Sequence, residues 1–460
     1  MKLAVLGGGG VRSPFLAKSI TSNAGLANID EVVFMDNDFE KIRIFGGLAK
    51  IVSNKINKNV NFSYTTDAEK ALKDADFVIT TLRVGGDECR VFDERTALDL
   101  NLLGQETTGA GGFGMAMRSI PALLGYCDLA RKVAKKNVLI FNFTNPSGLV
   151  TQAMRDAGHK NVFGICDAPS EFIKQLQRAY NVTPEDFSIK CYGLNHLSWF
   201  KEMIVKGEDV TQEFLDNKEK YLSTDMRSFE REIPEIFGDS LMNEYLQYYV
   251  YSEKKIQKIL DAPQTRGELI QSVNAKMLEK LKDMDIEKNT VEAFDIFLEH
   301  YMIRENSYGF IETGVERIDL MEKKTLEEFI SEPDAGGYAA VALNFIKAYV
   351  SGDPCEMVLS VSNDGAIGEL KDSDVVEVSC LIHQGSVKTV PVTDIDEMQV
   401  SLMRRMKLYE RMAVDAIMSC SRKKAIKALM INPFVRSYSL ACEIVDKYIA
   451  RYKEYIGEWN

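Results

Sequence analysis

KLAVLGGGGVRSP, residues 2–14, is a short β-rich run that ends in four consecutive glycines. The residues that follow, Phe15 to Ile20, carry apolar side chains at helical spacing. A strand, a glycine turn and a helix in this order are typical of the first unit of a dinucleotide-binding sheet, in which the backbone approaches a pyrophosphate at the helix N-terminus. The start of the chain therefore predicts a Rossmann-like fold and a dinucleotide as a candidate cofactor.

The glycine turn only partly matches the G-x-G-x-x-G pattern, because Arg12 stands where the third glycine is expected. Asp36 ends a second predicted strand, Glu31 to Met35, where an acidic side chain could bind ribose hydroxyls. A structural glycine turn with a solvated Asp36 is the alternative, and Arg12 could instead reach an anion of the substrate or lie at the surface. The residues predicted to bind the cofactor are Gly7, Gly9, Gly10, Val11, Arg12, Asp36 and Arg83.

Further apolar runs alternate with helical segments through the first third of the chain. Strands are predicted at 77–81, 138–143 and 162–165, which indicates a doubly wound parallel sheet of the α/β class. Later strands at 189–192, 199–205, 357–361 and 375–382 are separated by long charged helices. We therefore expect an NAD-binding Rossmann-like domain at 1–165 and an α+β substrate and metal domain with a helical C-terminus at 166–460.

The composition excludes several classes of function. A formal net charge of −12 in 460 residues argues against non-specific nucleic-acid binding, which needs clustered cations. No apolar run approaches the roughly 20 residues of a membrane span, and no signal peptide precedes the first strand, so a cytoplasmic protein without a membrane partner is expected. An anionic substrate would then need a local basic pocket, for which Arg83 and Arg90 are candidates. Salt bridges from these arginines to Asp93 and Glu94 are the alternative.

A soft thiol and an imidazole follow two of the predicted strands. Cys166 comes directly after the strand at 162–165, and His196 lies in GLNHLSW, residues 193–199. A thiolate and a neutral imidazole suit a borderline divalent cation, and two ligands leave positions open for substrate oxygens, although either residue could simply be packed in the core. Asn145 and Asn195 are predicted to bind substrate; for Asn145 a turn before Pro146 is the alternative.

At these residues the chain resembles glycoside hydrolase family 4, whose members depend on NAD and a divalent metal. The resemblance runs nearly end to end through RVGGDECRVFDE (83–94), LLGQETTGAGGFGMAMRSIPAL (102–123), NFTNPSG (142–148), FGICDAP (163–169), YGLNHLSW (192–199) and SNDGAIGELKDSDVVEVSCLI (362–382). It implies a lactate/malate-dehydrogenase-like fold, NAD and Mn²⁺ as cofactors, Cys166 and His196 as metal ligands, and Arg90 near a sugar phosphate. It also implies a homodimer or homotetramer that acts on a phosphorylated disaccharide or aryl glycoside.

The same resemblance implies a mechanism. In the family, NAD oxidises C3 of the sugar, a base removes the C2 proton, the leaving group is eliminated, and the hydride returns after water adds. The base is a tyrosine, for which Tyr338 in AGGYAA (335–340) is the candidate and Tyr308 the second choice. Asp167 could protonate the leaving oxygen, or only orient the groups around the metal.

Two features indicate opposite anomers. NHLSW, residues 195–199, resembles the 6-phospho-β-glucosidases, whereas Asp167 after the metal-binding cysteine resembles the α-acting enzymes. We expect a 6-phospho-β-glucosidase, with a 6-phospho-α-glucosidase or a glycosidase of unphosphorylated sugars as alternatives. An NAD-dependent hydroxy-acid dehydrogenase and a non-catalytic sensor are the alternatives from other classes.

Overall fold

The glycine turn follows the central strand of the largest sheet. The computed structural model describes residues 1–314, 317, 319–334 and 338–460, without the side chain of Tyr338. The strands of these residues are β1 (Lys2–Leu6), β2 (Glu31–Met35), β3 (Asn61–Thr65), β4 (Phe77–Thr80), β5 (Leu139–Asn142), β6 (Val162–Gly164), β7 (Phe187–Leu194), β8 (Leu197–Val205), β9 (Glu208–Asp209), β10 (Leu241–Met242), β11 (Cys355–Ser362), β12 (Val375–His383) and β13 (Ser386–Thr389).

Helices cover both faces of this sheet and fill much of the second half of the chain. They are α1 (Ser13–Asn23), α2 (Phe39–Lys41), α3 (Gly47–Ile56), α4 (Ala68–Leu72), α5 (Gly86–Leu98), α6 (Ala110–Val133), α7 (Ser147–Asp156), α8 (Ala168–Tyr180), α9 (Thr211–Asp216), α10 (Lys218–Leu222), α11 (Ile233–Ile236), α12 (Gln247–Val250), α13 (Ser252–Asp261), α14 (Arg266–Leu281), α15 (Thr290–Asn306), α16 (Phe310–Thr313), α17 (Leu326–Ser331), α18 (Tyr338–Ser351), α19 (Glu397–Met418), α20 (Arg422–Ile431) and α21 (Tyr438–Ile456). Within the described part of the chain, none of them has the length and apolar content needed to cross a membrane.

The large sheet has the order β3-β2-β1-β4-β5-β6-β11-β12-β13 in the described residues. Its first six strands are parallel and follow the 3-2-1-4-5-6 order of dinucleotide-binding folds, which confirms the predicted α/β class. Strands β11, β12 and β13 extend the sheet antiparallel to β6 and to one another. The sheet thus continues across residue 165, where the boundary between two domains stays a prediction.

A second, antiparallel sheet carries the imidazole. Strands β7 and β8 form a hairpin, with β10 and β9 paired to β8. The hairpin packs on β12 of the large sheet, where the Cys191 N–H donates to Ser379 Oγ at 3.1 Å. Trp199 and Tyr192, both on the hairpin, are fully buried. This packing brings the hairpin turn toward the carboxyl ends of the parallel strands.

An aromatic cluster holds the segment from α14 to α17 against the nucleotide-binding half. Phe15 of α1 stacks on Tyr301 of α15 with ring centroids 4.4 Å apart, and it meets Phe329 of α17 edge-on at 4.9 Å. Phe45 and Phe297 join the same cluster. Because α15 is fixed in this way, its C-terminal end lies beside the glycine turn.

The glycine turn leaves no room for a side chain at Gly7. Its φ is +95°, and a Cβ there would lie 2.5 Å from the carbonyl oxygen of Thr81. We expect Gly7→Ala to destabilise the protein by about 2 kcal/mol, since both the backbone and the neighbouring carbonyl would have to shift. Urea unfolding followed by circular dichroism measures this change.

Gly125→Ala is the matched control, because a Cβ at this exposed position of α6 would meet nothing within 4 Å. It should leave stability unchanged or raise it by up to about 1 kcal/mol. Equal unfolding midpoints for Gly7→Ala and Gly125→Ala would contradict the tight turn.

Candidate active site

A cavity of about 870 Å³ opens where the parallel strands β5 and β6 end. Most of the residues predicted to act on the substrate line it, although they come from distant parts of the sequence. The predicted residues in its lining are Arg12, Arg90, Asn145, Cys166, Asp167, His196 and Tyr308. The structure therefore gathers the predicted metal pair, one predicted carboxylate and two arginines around one space.

The side chains of Cys166 and His196 lie next to each other in the wall of this cavity. Cys166 lies between β6 and α8, and His196 occupies the tight turn between β7 and β8 with a φ of +62°. Cys166 Sγ lies 3.8 Å from His196 Nε2, while Thr107 Oγ1 is 3.0 Å from Nδ1. The contact with Thr107 orients the ring so that its other nitrogen is directed at the sulfur.

Burial changes the protonation of both groups. It lowers the pKa of His196 to about 4, so the imidazole is neutral at physiological pH, which is the form that binds metals. Burial, followed by the carboxylates of Glu377 and Asp167, raises the pKa of the Cys166 thiol well above its usual value. A nearby cation is what would make the thiolate favourable here.

The pair fits one divalent ion. Bonds of roughly 2.3 Å to sulfur and 2.1 Å to nitrogen are compatible with donor atoms 3.8 Å apart. Among the described residues, no group of three or more His, Cys, Asp or Glu side chains is arranged to hold a metal. Two protein ligands would leave the remaining positions of the ion open to substrate oxygens.

Tyr245 is a residue of this site that the sequence analysis missed. Its ring lies parallel to the His196 ring at a centroid distance of 3.6 Å, and its hydroxyl is 3.1 Å from that of Tyr308. Burial, followed by the carboxylate of Glu244, raises the pKa of Tyr245 well above its usual value. The aromatic run YLQYYVY, residues 245–251, is the only signal in the sequence, and its spacing is equally typical of a packed core.

Two tyrosines were predicted as base candidates. Tyr308 lines the cavity and donates to Glu244 Oε1 at 3.5 Å. Tyr338 begins helix α18, but its side chain lies outside the described residues. Among the side chains that the structure describes, Tyr245 is the phenol that stacks on the imidazole of the metal pair.

Asp167 lines the cavity next to Cys166. Burial raises the pKa of Asp167, and the guanidinium of Arg12 opposes this shift. Arg12 also forms an ion pair with Glu305 at 3.6 Å. Arg12 thus lines the cavity at the end of the glycine turn, and whether it binds the cofactor or an anion of the substrate stays a prediction.

Arg83 and Arg90 have carboxylate partners within the protein. Glu106 Oε2 lies 2.8 Å from Arg83 Nη1 and 3.1 Å from Arg90 Nη1. Arg90 Nε also donates to Glu94 Oε1 at 2.9 Å. Burial alone would raise the pKa of Glu106, but the two arginines lower it overall. The predicted pair with Glu94 therefore exists, and Arg83 is not among the cavity-lining residues that the structure describes.

Further arginines that were not predicted line the cavity, among them Arg266 and Arg304. Burial, followed by Arg12, lowers the pKa of Arg304 to about 10, and burial followed by Arg90 lowers that of Arg266. Guanidinium groups that lie this close together are stabilised by an anion, and Glu106 and Glu305 in the same lining supply part of that charge. The cavity is suited to an anionic ligand.

The glycine turn lies at the point where the strand order reverses, between β1 and β4. The N–H groups of Gly7 and Gly8 both donate to Met35 O at 2.8 Å, and that of Gly9 donates to Asp36 Oδ2 at 3.0 Å. Gly10 closes the turn on the Gly7 carbonyl at 3.1 Å. Such a reversal point is where doubly wound sheets bind nucleotides.

Val11, the remaining predicted cofactor residue, packs against the aromatic cluster around Phe297.

Of the two asparagines predicted to bind substrate, one lines the cavity and the other does not. Asn145 lines the cavity, and its Oδ1 accepts from the Ser147 N–H at 3.3 Å. Asn195 is not among the lining residues, because its Nδ2 donates to buried Glu377 Oε1 at 2.9 Å. The role of Asn195 in binding substrate therefore stays a prediction, whereas its neighbour His196 lines the cavity.

Comparison with known proteins agrees with this geometry. Residues 2–182 match the family described as Family 4 glycosyl hydrolase, and residues 191–435 match the Family 4 glycosyl hydrolase C-terminal domain. The chain belongs to glycosyl hydrolase family 4. This confirms the resemblance drawn from the sequence motifs.

Several relatives align with this chain over nearly its full length. The chain is 30% identical to the 6-phospho-beta-glucosidase BglT of Thermotoga maritima over 99% of both chains. It is 26% identical to the phospho-alpha-glucosidase PagL of Clostridium acetobutylicum over 100% of this chain and 98% of the relative. Both anomeric specificities therefore occur among its relatives.

Solved structures show the same fold. The Thermotoga maritima 6-phospho-beta glucosidase with NAD and glucose-6-phosphate superposes with a TM-score of 0.82 at 28% identity, covering 100% of both chains. A 6-phospho-alpha-glucosidase from gut microorganisms, in complex with NAD and Mn²⁺, gives 0.79 at 26% identity over 100% and 99%. A lactate dehydrogenase from Eimeria maxima gives 0.51 at 13% identity over 90% and 94%, and this likeness supports the predicted dehydrogenase-like fold.

Proposed function

We propose that this family 4 member is a 6-phospho-β-glucosidase that uses NAD and a divalent metal ion. Mn²⁺ is the ion that we propose. The observation that carries the proposal is the separation of 3.8 Å between Cys166 Sγ and His196 Nε2 on a cavity that also contains an arginine cluster. The solved relatives bound to NAD, Mn²⁺ and glucose-6-phosphate support the cofactors and the phosphorylated substrate. When bound, NAD supplies reversible oxidation of a sugar carbon and the ion supplies Lewis-acid polarisation of sugar oxygens.

The protein's own residues then have distinct roles in the proposal. Cys166 and His196 hold the ion, and Arg12, Arg90, Arg266 and Arg304 attract the phosphate. The glycine turn and Asp36 bind NAD at the reversal point of the sheet. Asn145 donates to a sugar hydroxyl at the cavity wall. These roles require a substrate whose reacting sugar carbons lie between the metal pair and the turn.

Proton transfer is assigned to two side chains. Tyr245 removes the proton next to the oxidised carbon, since its ring lies on His196 and a bound cation beside it would lower the pKa of the phenol. Asp167 protonates the leaving oxygen, because burial favours its neutral form. Tyr338, the base predicted from the sequence, is the competing candidate.

We propose that the substrate is the β anomer because of the motif NHLSW, residues 195–199, and the 30% identity to BglT. Asp167 is the residue that favours the α anomer. The cytoplasmic location and the homodimeric or homotetrameric assembly stay predictions.

The cofactor requirement and the anomer are tested together with p-nitrophenyl glucosides. We expect release of p-nitrophenol from the 6-phospho-β-glucoside only when NAD and Mn²⁺ are both present, because the proposed route needs the cofactor for oxidation of the sugar and the ion for polarisation of its oxygens. The matched α-anomer and the unphosphorylated glucosides should react at least tenfold more slowly. Full activity after removal of NAD and metal would contradict the redox route. A preference for the α substrate would contradict the proposed β specificity but not the cofactor requirement.

The base is tested with three phenylalanine substitutions. Tyr245→Phe should lower kcat by about 10²–10⁴-fold, the range expected for loss of a general base, while Mn²⁺ binding is retained. Tyr308→Phe and Tyr338→Phe are the controls and should change kcat less than tenfold. Steady-state kinetics on the 6-phospho-β-glucoside decide the question. If Tyr338→Phe is the inactive variant and Tyr245→Phe is active, the assignment from geometry is wrong.

A further inference from the structure

A buried carboxylate lies behind the metal pair and was not predicted from the sequence. Glu377, on β12, is 1% exposed and is not among the residues that line the cavity. Its two oxygens accept hydrogen bonds of 2.9 Å, Oε1 from Asn195 Nδ2 and Oε2 from Ser198 Oγ. Asn195 and Ser198 flank His196 in the hairpin, so Glu377 contacts the imidazole-bearing turn on both sides.

The same network reaches the thiol. The Asn195 side chain lies close enough to Cys166 to favour the thiolate form of that residue, and Glu377 is close enough for its negative charge to oppose it. Asn243 Nδ2 donates to Ser198 Oγ at 3.2 Å, which leaves the hydroxyl proton of Ser198 for Glu377. Asn195 therefore links the carboxylate to both proposed ligands.

Glu377 has no cationic partner among the described side chains. Burial raises its pKa to about 7, opposed only by the hydrogen bonds from Asn195 and Ser198. A buried carboxylate without a counter-charge is costly, and two nearby anions, Glu377 and a Cys166 thiolate, are costlier. One divalent cation between Cys166 and His196 would balance these two negative charges completely.

We propose that Glu377 is the positioning residue of the metal site: it fixes the turn that carries His196 and supplies the second negative charge that a divalent cation needs. The inference rests on the proposed metal site. It explains why two protein ligands, of which only the thiolate is charged, suffice for an ion of charge +2. Glu377 acts through Asn195 and the field at the site, without contact to the substrate.

The experiment is a Mn²⁺ titration of the full-length, chelator-treated protein, followed by electron paramagnetic resonance of the free ion. Glu377→Gln should raise the Kd for Mn²⁺ by about 10–100-fold, the usual cost of losing an outer carboxylate. Glu208→Gln is the matched control: it makes the same change on β9, which pairs with hairpin strand β8, at an exposed position, and should keep the wild-type Kd within twofold.

A second readout separates this role from simple structural support. Without metal, Glu377→Gln should unfold within a few degrees of wild type, since removal of an uncompensated buried charge offsets the loss of one of the two hydrogen bonds that the carboxylate accepts. With saturating Mn²⁺, wild type should gain more in Tm than the variant. A residue that only supported the fold would give the variant a lower Tm under both conditions and an unchanged Kd.

The outcomes are distinguishable. A Kd for Glu377→Gln within twofold of wild type overturns the inference, and absence of Mn²⁺ binding by wild type contradicts the proposed metal site itself. If Glu377→Gln fails to fold, Asn195→Ala decides the question, because it removes the link between Glu377 and both ligands while keeping the carboxylate. A weakened Kd for that variant supports the inference, and an unchanged Kd overturns it.

Discussion

The packing of the β7–β8 hairpin on strand β12 is the interaction on which the site depends. Cys166 is positioned by the parallel sheet, whereas His196 belongs to a separate antiparallel sheet. Their 3.8 Å separation exists because Glu377 and Ser379 of β12 hold the hairpin through Asn195, Ser198 and the Cys191 backbone. Strand β12 belongs to the large sheet, so the turn is fixed relative to the thiol by hydrogen bonds inside one core.

Charge explains the rest of the cavity. The protein carries a net charge of −12, yet arginines from the glycine turn, α5, α14 and α15 meet at one surface. Glu94, Glu106 and Glu305 partly neutralise them and fix their positions. These pairs hold several guanidinium groups at one cavity of an otherwise acidic protein, which is the arrangement that the proposed phosphorylated substrate needs.

Much of the fold could be predicted from the sequence, for identifiable physical reasons. Buried parallel strands such as β1 and β5 are continuous apolar runs, and the glycine turn marks the first crossover. Strand β3 was missed because it is an edge strand with only Phe62 buried, and β13 because its four residues are partly exposed. The antiparallel pairing of β11–β13 with the parallel sheet could not be predicted, because no local sequence pattern indicates which strands will pair.

The site was predictable only in part. Cys166, Asp167 and Asn145 follow strand ends, and strands of a parallel sheet end at one edge. Tyr245, Glu377, Arg266 and Arg304 come from elements whose positions depend on tertiary packing, so spacing gives no indication that they meet. Asn195 shows the limit within a single turn: its neighbour His196 lines the cavity and Asn195 does not, and the sequence does not reveal this difference.

The central claim is that the gathered residues support oxidation followed by elimination, in which the C2 proton of the sugar is exchanged. The most direct measurement is hydrolysis of the 6-phospho-β-glucoside in D₂O with NAD and Mn²⁺, analysed by NMR at early times beside a control of glucose 6-phosphate and enzyme alone. The account predicts deuterium at C2 of the newly released glucose 6-phosphate beyond that control. Product that retains its C2 proton would show displacement at C1 and would contradict the account.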